Sequence, residues 1–96
     1  MTLEELYKII EDRKKNMPIG SYVASLFGDG EDCIIQKIGE EATEVVIAAK
    51  NKNRSRQIEE LTDLFFHTLI LMAQLNISPV DILNELSRRN KYKRNA

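Results

Sequence analysis

The 96-residue sequence predicts an all-α protein, a small helical bundle with two long antiparallel central helices. Three observations lead there. Apolar residues recur at helical spacing along most of the chain. No segment alternates with a period of two over a useful length. The polar stretch NKNRS joins the two longest periodic segments, and so short a connection makes them antiparallel neighbours.

Each element can be justified in order. Thr2 followed by Glu5 has the spacing of a capping box, and Leu3, Leu6, Tyr7 and Ile10 fall at i, i+3, i+4 and i+7. Pro18 and Gly20 break that helix. SYVASLF supplies one or two further helical turns and ends in the turn-forming GDG. Asp29 then stands as a cap for a helix from about Gly30 to Lys50, whose apolar stripe is Ile34, Ile38, Ala42, Val45 and Ala49. Asn53 or Ser55 can cap the next helix, whose broad apolar face is Ile58, Leu61, Leu64, Phe65, Thr68, Leu69, Met72 and Leu75, with Asn76 as its stop. Ser78-Pro79-Val80-Asp81 joins an N-cap, a proline at the first helical position and an acid at the third. Val80, Leu83 and Leu86 are that last helix's expected buried side.

Composition narrows the function. Residues 1–96 have room for one core, and a chain this short buries only about 60–65 % of its unfolded surface, which favours an oligomer. Fourteen basic against fifteen acidic residues leave a net charge of -1, which argues against bulk nucleic acid as the main partner. The basic ending RRNKYKRNA reads as a helix end followed by a frayed tail. Cys33 is the single cysteine, so no intrachain disulfide and no cysteine-rich metal site are expected, and a reducing cytoplasm is the natural setting. No apolar run is long enough for a signal or a membrane span. Phosphate-cradling glycine loops, zinc-spaced His/Cys sets and a Ser-His-Asp elbow are all missing from the sequence.

The chemistry is in the acids of the two central helices. At about 100° per residue, Glu41 lies just off the edge of the first apolar stripe, Glu44 further round on the same flank, and Glu40 beyond it towards solvent. On the second helix Glu60, Asp63 and His67 share one flank of the apolar face. Packing the helices by their stripes would bring Glu41, Glu44, Glu60 and Asp63 to one cleft, where uncompensated carboxylates repel. A hard divalent cation such as Mg²⁺ resolves the conflict, because it takes oxygen ligands and keeps sites for substrate phosphates. The bland alternative is that each acid solvates a helix surface. His67 reads as a hydrogen-bonded structural histidine, and Gly39 as either a close helix approach or a tolerated loss of about 1 kcal/mol.

These residues carry a resemblance. Glu40-Glu41-x-x-Glu44, a spacer and Glu60-x-x-Asp63 resemble the EExxE…ExxD signature of the all-α NTP pyrophosphatases, which include MazG-like enzymes and dimeric dUTPases. SYVASLF, DCIIQKIGEEATEVVIAAKN, ELTDLFFHTLILMAQLNIS and NELSRR, over residues 21–89, are most similar to the phosphoribosyl-ATP pyrophosphatase family. The resemblance implies hydrolysis of phosphoribosyl-ATP to phosphoribosyl-AMP and pyrophosphate, the second step of histidine biosynthesis, with Mg²⁺ and a homodimer. By position it implies Glu41, Glu44, Glu60 and Asp63 as metal ligands, with Glu40 as a further ligand or a water-orienting group. Cys33 stands where similar proteins often carry a basic residue, which weakens any phosphate-contact role there without touching the metal site.

Splitting a phosphoanhydride is mostly positioning and charge neutralisation. On that ground Glu41 or Glu44 is expected to orient or deprotonate the attacking water. Lys37, Lys50 and Arg88 or Arg89 are expected at the phosphate rim. Two other readings make different predictions: a house-cleaning pyrophosphatase acting on dUTP or damaged NTPs, and a non-catalytic helical interaction module.

Overall fold

Thr2 opens the first helix with its hydroxyl accepting the Glu5 N–H, and the Glu5 carboxylate accepts the Thr2 N–H in return. This reciprocal cap satisfies two of the amide donors that a helix start otherwise leaves open. The computed structural model describes residues 1–89; the basic tail read from the sequence as frayed lies largely outside the described residues. It contains α1 (Leu3–Asn16), α2 (Tyr22–Asp29), α3 (Glu31–Lys50), α4 (Arg54–Gln74) and α5 (Pro79–Arg89), with no strand among the described residues. The all-α expectation holds, and α3 and α4 are its two long central helices.

α3 packs along α4, α1 packs against α4, and α2 bridges α1 and α3. Asn53 caps α4 by accepting the Arg56 N–H, and Gln57 closes the hairpin by donating to the Ala49 carbonyl. At the far end Asn76, in the left-handed region at φ 59°, stops the run, and α5 leaves at 101° to α4. The α5 start is the reciprocal cap of Ser78 and Asp81. Two long-range bonds tie α1 to this corner: the Tyr7 hydroxyl donates to the Ile77 carbonyl, and Lys14 Nζ donates to the Ala73 carbonyl at 2.8 Å. Ile10, Ile34 and Ile70 sit fully buried between α1, α3 and α4, with Tyr7, Leu26, Leu69 and Ala73 around them.

The structure corrects several expectations. Asp29 does not cap α3; it ends α2, and Gly30 serves as the last cap of one helix and the first of the next, with no side-chain cap bond. The cap position is taken by glycine, which has no side chain to offer, and the φ of 100° there is open to glycine at little cost. Gly39 meets nothing within 4 Å of an added Cβ, so no close helix approach explains it.

The larger correction concerns which face turns inward. On α3 the expected stripe does turn inward, with Ile34 buried and Ile38, Ala42 and Val45 half-buried, though Ala48 rather than Ala49 is buried at its end. α4 instead turns the flank of Glu60 and His67 inward and leaves Ile58, Leu61 and Phe65 of its apolar face outward, although Leu69 of that face is buried. Val80, Leu83 and Leu86 of α5 are likewise exposed. The radius of gyration is 15.2 Å, against about 12 Å for a compact chain of this length, so this single chain leaves much of its apolar surface uncovered.

Candidate metal centre

The inward flank of α4 places its acids in the seam with α3. Glu41, Glu60 and Asp63 each bring one carboxylate oxygen within 4.8 Å of the others. Glu41 is half-buried, Glu60 is only 7 % exposed, and Asp63 is exposed at the rim. Spacing explains the pairing: Glu60 and Asp63 are one helical turn apart, and the antiparallel hairpin sets Glu41 opposite them.

Oxygen donors at that separation, from three carboxylates that would otherwise repel one another, fit a hard divalent cation. Glu40 and Glu44 are exposed and fall outside the three-residue group, Glu44 one turn along α3 from Glu41. Lys37 is half-buried one turn on the other side of Glu41, and Lys50 is exposed at the end of α3.

Arg88 lies on the exposed side of α5, where it and Arg89 both bind the Glu85 carboxylate. These two guanidinium contacts hold the Glu85 carboxyl down at about 2. Cys33 is exposed in the first turn of α3.

The chain matches the model of the family described as phosphoribosyl-ATP pyrophosphohydrolase over residues 3–90. It is similar to the phosphoribosyl-ATP pyrophosphatase of Geobacter sulfurreducens, with 51 % identity over 91 % of this chain and 81 % of that protein. The proteins of the same name from Pelotomaculum thermopropionicum (47 %, over 95 % and 93 %) and Sulfolobus acidocaldarius (45 %, over 93 % and 94 %) are similar along nearly their whole lengths.

The chain belongs to the phosphoribosyl-ATP pyrophosphohydrolase family.

In this phosphoribosyl-ATP pyrophosphohydrolase family member, the acid seam is supported by residues that sequence reasoning either placed only loosely or missed. His67, one turn beyond Asp63, donates from Nδ1 to the Asp63 carbonyl at 2.7 Å. A carbonyl can only accept, so Nδ1 carries the hydrogen, and Nε2 faces the Tyr22 hydroxyl at 3.2 Å as its acceptor. Tyr22, Phe66 and His67 form an aromatic cluster, Phe66 meeting His67 edge-on at 5.5 Å. Tyr22 comes from α2, 45 residues away, and no local spacing could have revealed it.

Arg56 is the other omission. Its Nη2 lies 2.9 Å from Glu60 and neutralises the most buried acid of the three. The signal was present in the i, i+4 spacing of the two residues.

A cavity of about 390 Å³ opens beside the acids, lined by Leu6, Leu61, Asp63, Phe65 and Phe66 among others. A neighbouring apolar groove of about 430 Å³ shares Leu61 and Phe65 with it and runs on to Leu3, Ile82 and Leu83. The acid cluster and uncovered apolar surface therefore meet at Asp63. No single helix among the described residues is long and apolar enough to cross a membrane.

Proposed function

We propose that this chain hydrolyses phosphoribosyl-ATP to phosphoribosyl-AMP and pyrophosphate, the second step of histidine biosynthesis, as a Mg²⁺-dependent cytoplasmic homodimer in which residues 1–96 act as one domain. The observation that carries this reading is the convergence of Glu41, Glu60 and Asp63 in a chain of that family. These three would hold the cation. When bound, Mg²⁺ supplies charge neutralisation to the phosphate oxygens of substrate and leaving pyrophosphate.

The remaining roles belong to the chain. Glu44, exposed one turn from Glu41, or Glu41 itself, orients the water and takes its proton as the water oxygen bonds to phosphorus. The anhydride bond breaks and its electron pair leaves with the pyrophosphate. Glu40 adds a further oxygen beside Glu44. Lys37 and Lys50 lie on either side of the acids along α3 and meet the phosphate charge; Arg88 would do so only by leaving Glu85.

The homodimer reading rests on the apolar groove of α4 and α5. Phe65, Leu61 and Leu83 are more than half exposed, and a second copy of the same face, related by a two-fold axis, would cover them. Because the groove adjoins Asp63, each site would then lie at the edge of the subunit interface.

Pyrophosphate release from phosphoribosyl-ATP, measured beside a panel of NTPs with and without Mg²⁺, tests the reading. Turnover of phosphoribosyl-ATP that needs Mg²⁺ is expected. Turnover of the NTP panel alone would assign a house-cleaning role instead, and no hydrolysis of any nucleotide would leave an interaction module.

A further inference from the structure

Among the described residues, Arg56 is the one basic side chain ion-paired to a member of the acid cluster. Its two terminal nitrogens divide between neighbours, Nη2 at 2.9 Å from Glu60 and Nη1 at 3.1 Å from Glu59. An i, i+4 pair on a solvated helix surface is the ordinary account of such contacts. Three features of this pair do not fit it.

Glu60 is buried rather than solvated, so the guanidinium is held at the mouth of the seam. The order, basic residue before acidic, is the less favourable one along a helix. Finally, Arg56 sits in the first turn of α4, where a positive charge opposes the helix dipole, and no acid in that turn offsets it. The Asn53 cap, which accepts the Arg56 N–H, fixes the residue in that position. The helix thus tolerates a local cost, and it does so next to the most buried carboxylate of the cluster. The side chain itself is 53 % exposed, within reach of an incoming ligand.

We infer that Arg56 is a polyphosphate-binding residue of this site, its guanidinium exchanging between the Glu60 carboxylate and phosphate oxygens of the substrate. The inference rests on the pyrophosphohydrolase reading above and names a further residue for it. A planar guanidinium suits this role because its paired N–H groups match two oxygens of carboxylate or phosphate equally well. Glu60 turned to a divalent cation gives up Arg56, and the charge so released lies where pyrophosphate oxygens gather. Cation binding and phosphate binding are then coupled through one side chain.

The experiment is calorimetric titration of the full chain with Mg²⁺ alone and with inorganic pyrophosphate at saturating Mg²⁺, for wild type, Arg56→Gln, Arg56→Lys and Arg54→Gln. Arg54→Gln removes the same charge from the same turn without a contact to Glu60. Arg56→Gln is expected to weaken pyrophosphate by about tenfold or more and to leave Mg²⁺ binding as tight or tighter, with an unchanged helical melt. Arg56→Lys should recover part of the loss, and Arg54→Gln should lose clearly less than Arg56→Gln. Unchanged pyrophosphate affinity in Arg56→Gln, or an equal loss in Arg54→Gln, would overturn the inference while wild-type hydrolysis of phosphoribosyl-ATP stands. A wild type that binds no pyrophosphate and hydrolyses no phosphoribosyl-ATP overturns the parent reading and this one with it.

Discussion

The two flanks of α4 invert the usual rule of burial. One flank faces α3 and carries Glu60 and His67, both polar and both buried. The other carries Ile58, Leu61 and Phe65, all apolar and all more than half exposed. A helix stabilised only within its own chain would turn the second flank inward, because burying each such side chain is worth about 1.5–3 kcal/mol. The arrangement makes sense if the polar flank is held inside for a ligand and the apolar flank is reserved for another subunit. Buried polar groups are tolerable because each is partnered: Glu60 by Arg56, His67 by Asp63 and Tyr22.

The largest effect should come from the polar flank. Asp63→Ala is expected to lower Mg²⁺-dependent pyrophosphate release by about 100-fold or more with the circular dichroism spectrum unchanged. Full turnover by that variant would remove the acids from the chemistry. Glu44→Ala sharpens the picture, since Glu44 lies outside the clustered three. A loss in kcat without loss of Mg²⁺ affinity would assign it to the water, and a loss of Mg²⁺ affinity would add it to the ligands.

The apolar flank is probed by Phe65→Asp. A charge in the middle of the uncovered face should convert a dimer to monomer in analytical ultracentrifugation, and a dimer that persists would place the interface elsewhere. Ile70→Ala, in contrast, falls in the core between the flanks and should cost about 2–5 kcal/mol in denaturant unfolding whatever the subunit count. Gly39→Ala should stabilise α3 by about 1 kcal/mol, since open space surrounds the missing Cβ; destabilisation would reveal a contact made only in the assembly.

The smallest effect concerns α5. The Glu85 carboxyl is held at about 2 against an ordinary 4.5 by Arg88 and Arg89. A depressed carboxyl contributes stability above its unfolded value and loses it as pH falls towards the folded one. Glu85→Gln should therefore differ from wild type above about pH 4.5 and converge with it as pH falls to about 2 in acid melts. Because the carboxylate is solvent-screened, that difference should be small.

How much of this was legible beforehand follows from the range of each interaction. The caps at Thr2, Asn53 and Ser78 were readable because both partners lie within three residues. Glu41, Glu60 and Asp63 could be grouped because a short connection forces the two helices antiparallel. The orientation of α4 was not readable: its face is apolar whichever neighbour covers it, and periodicity cannot say whether that neighbour is the same chain. Buried Glu60 and exposed Phe65 are two results of that one ambiguity. Tyr22 escaped because its partner is 45 residues distant, and Arg56 because an i, i+4 pair looks the same whether its acid is solvated or buried.

The central claim is that the polar flank of α4, against α3, is a divalent-cation site. Calorimetric titration of Mg²⁺ into wild type and Asp63→Asn, without nucleotide, addresses it most directly. Saturable binding by wild type that weakens at least about tenfold in Asp63→Asn, at equal melting temperature, is the result the account predicts. Equal Mg²⁺ affinity in the two proteins would contradict it.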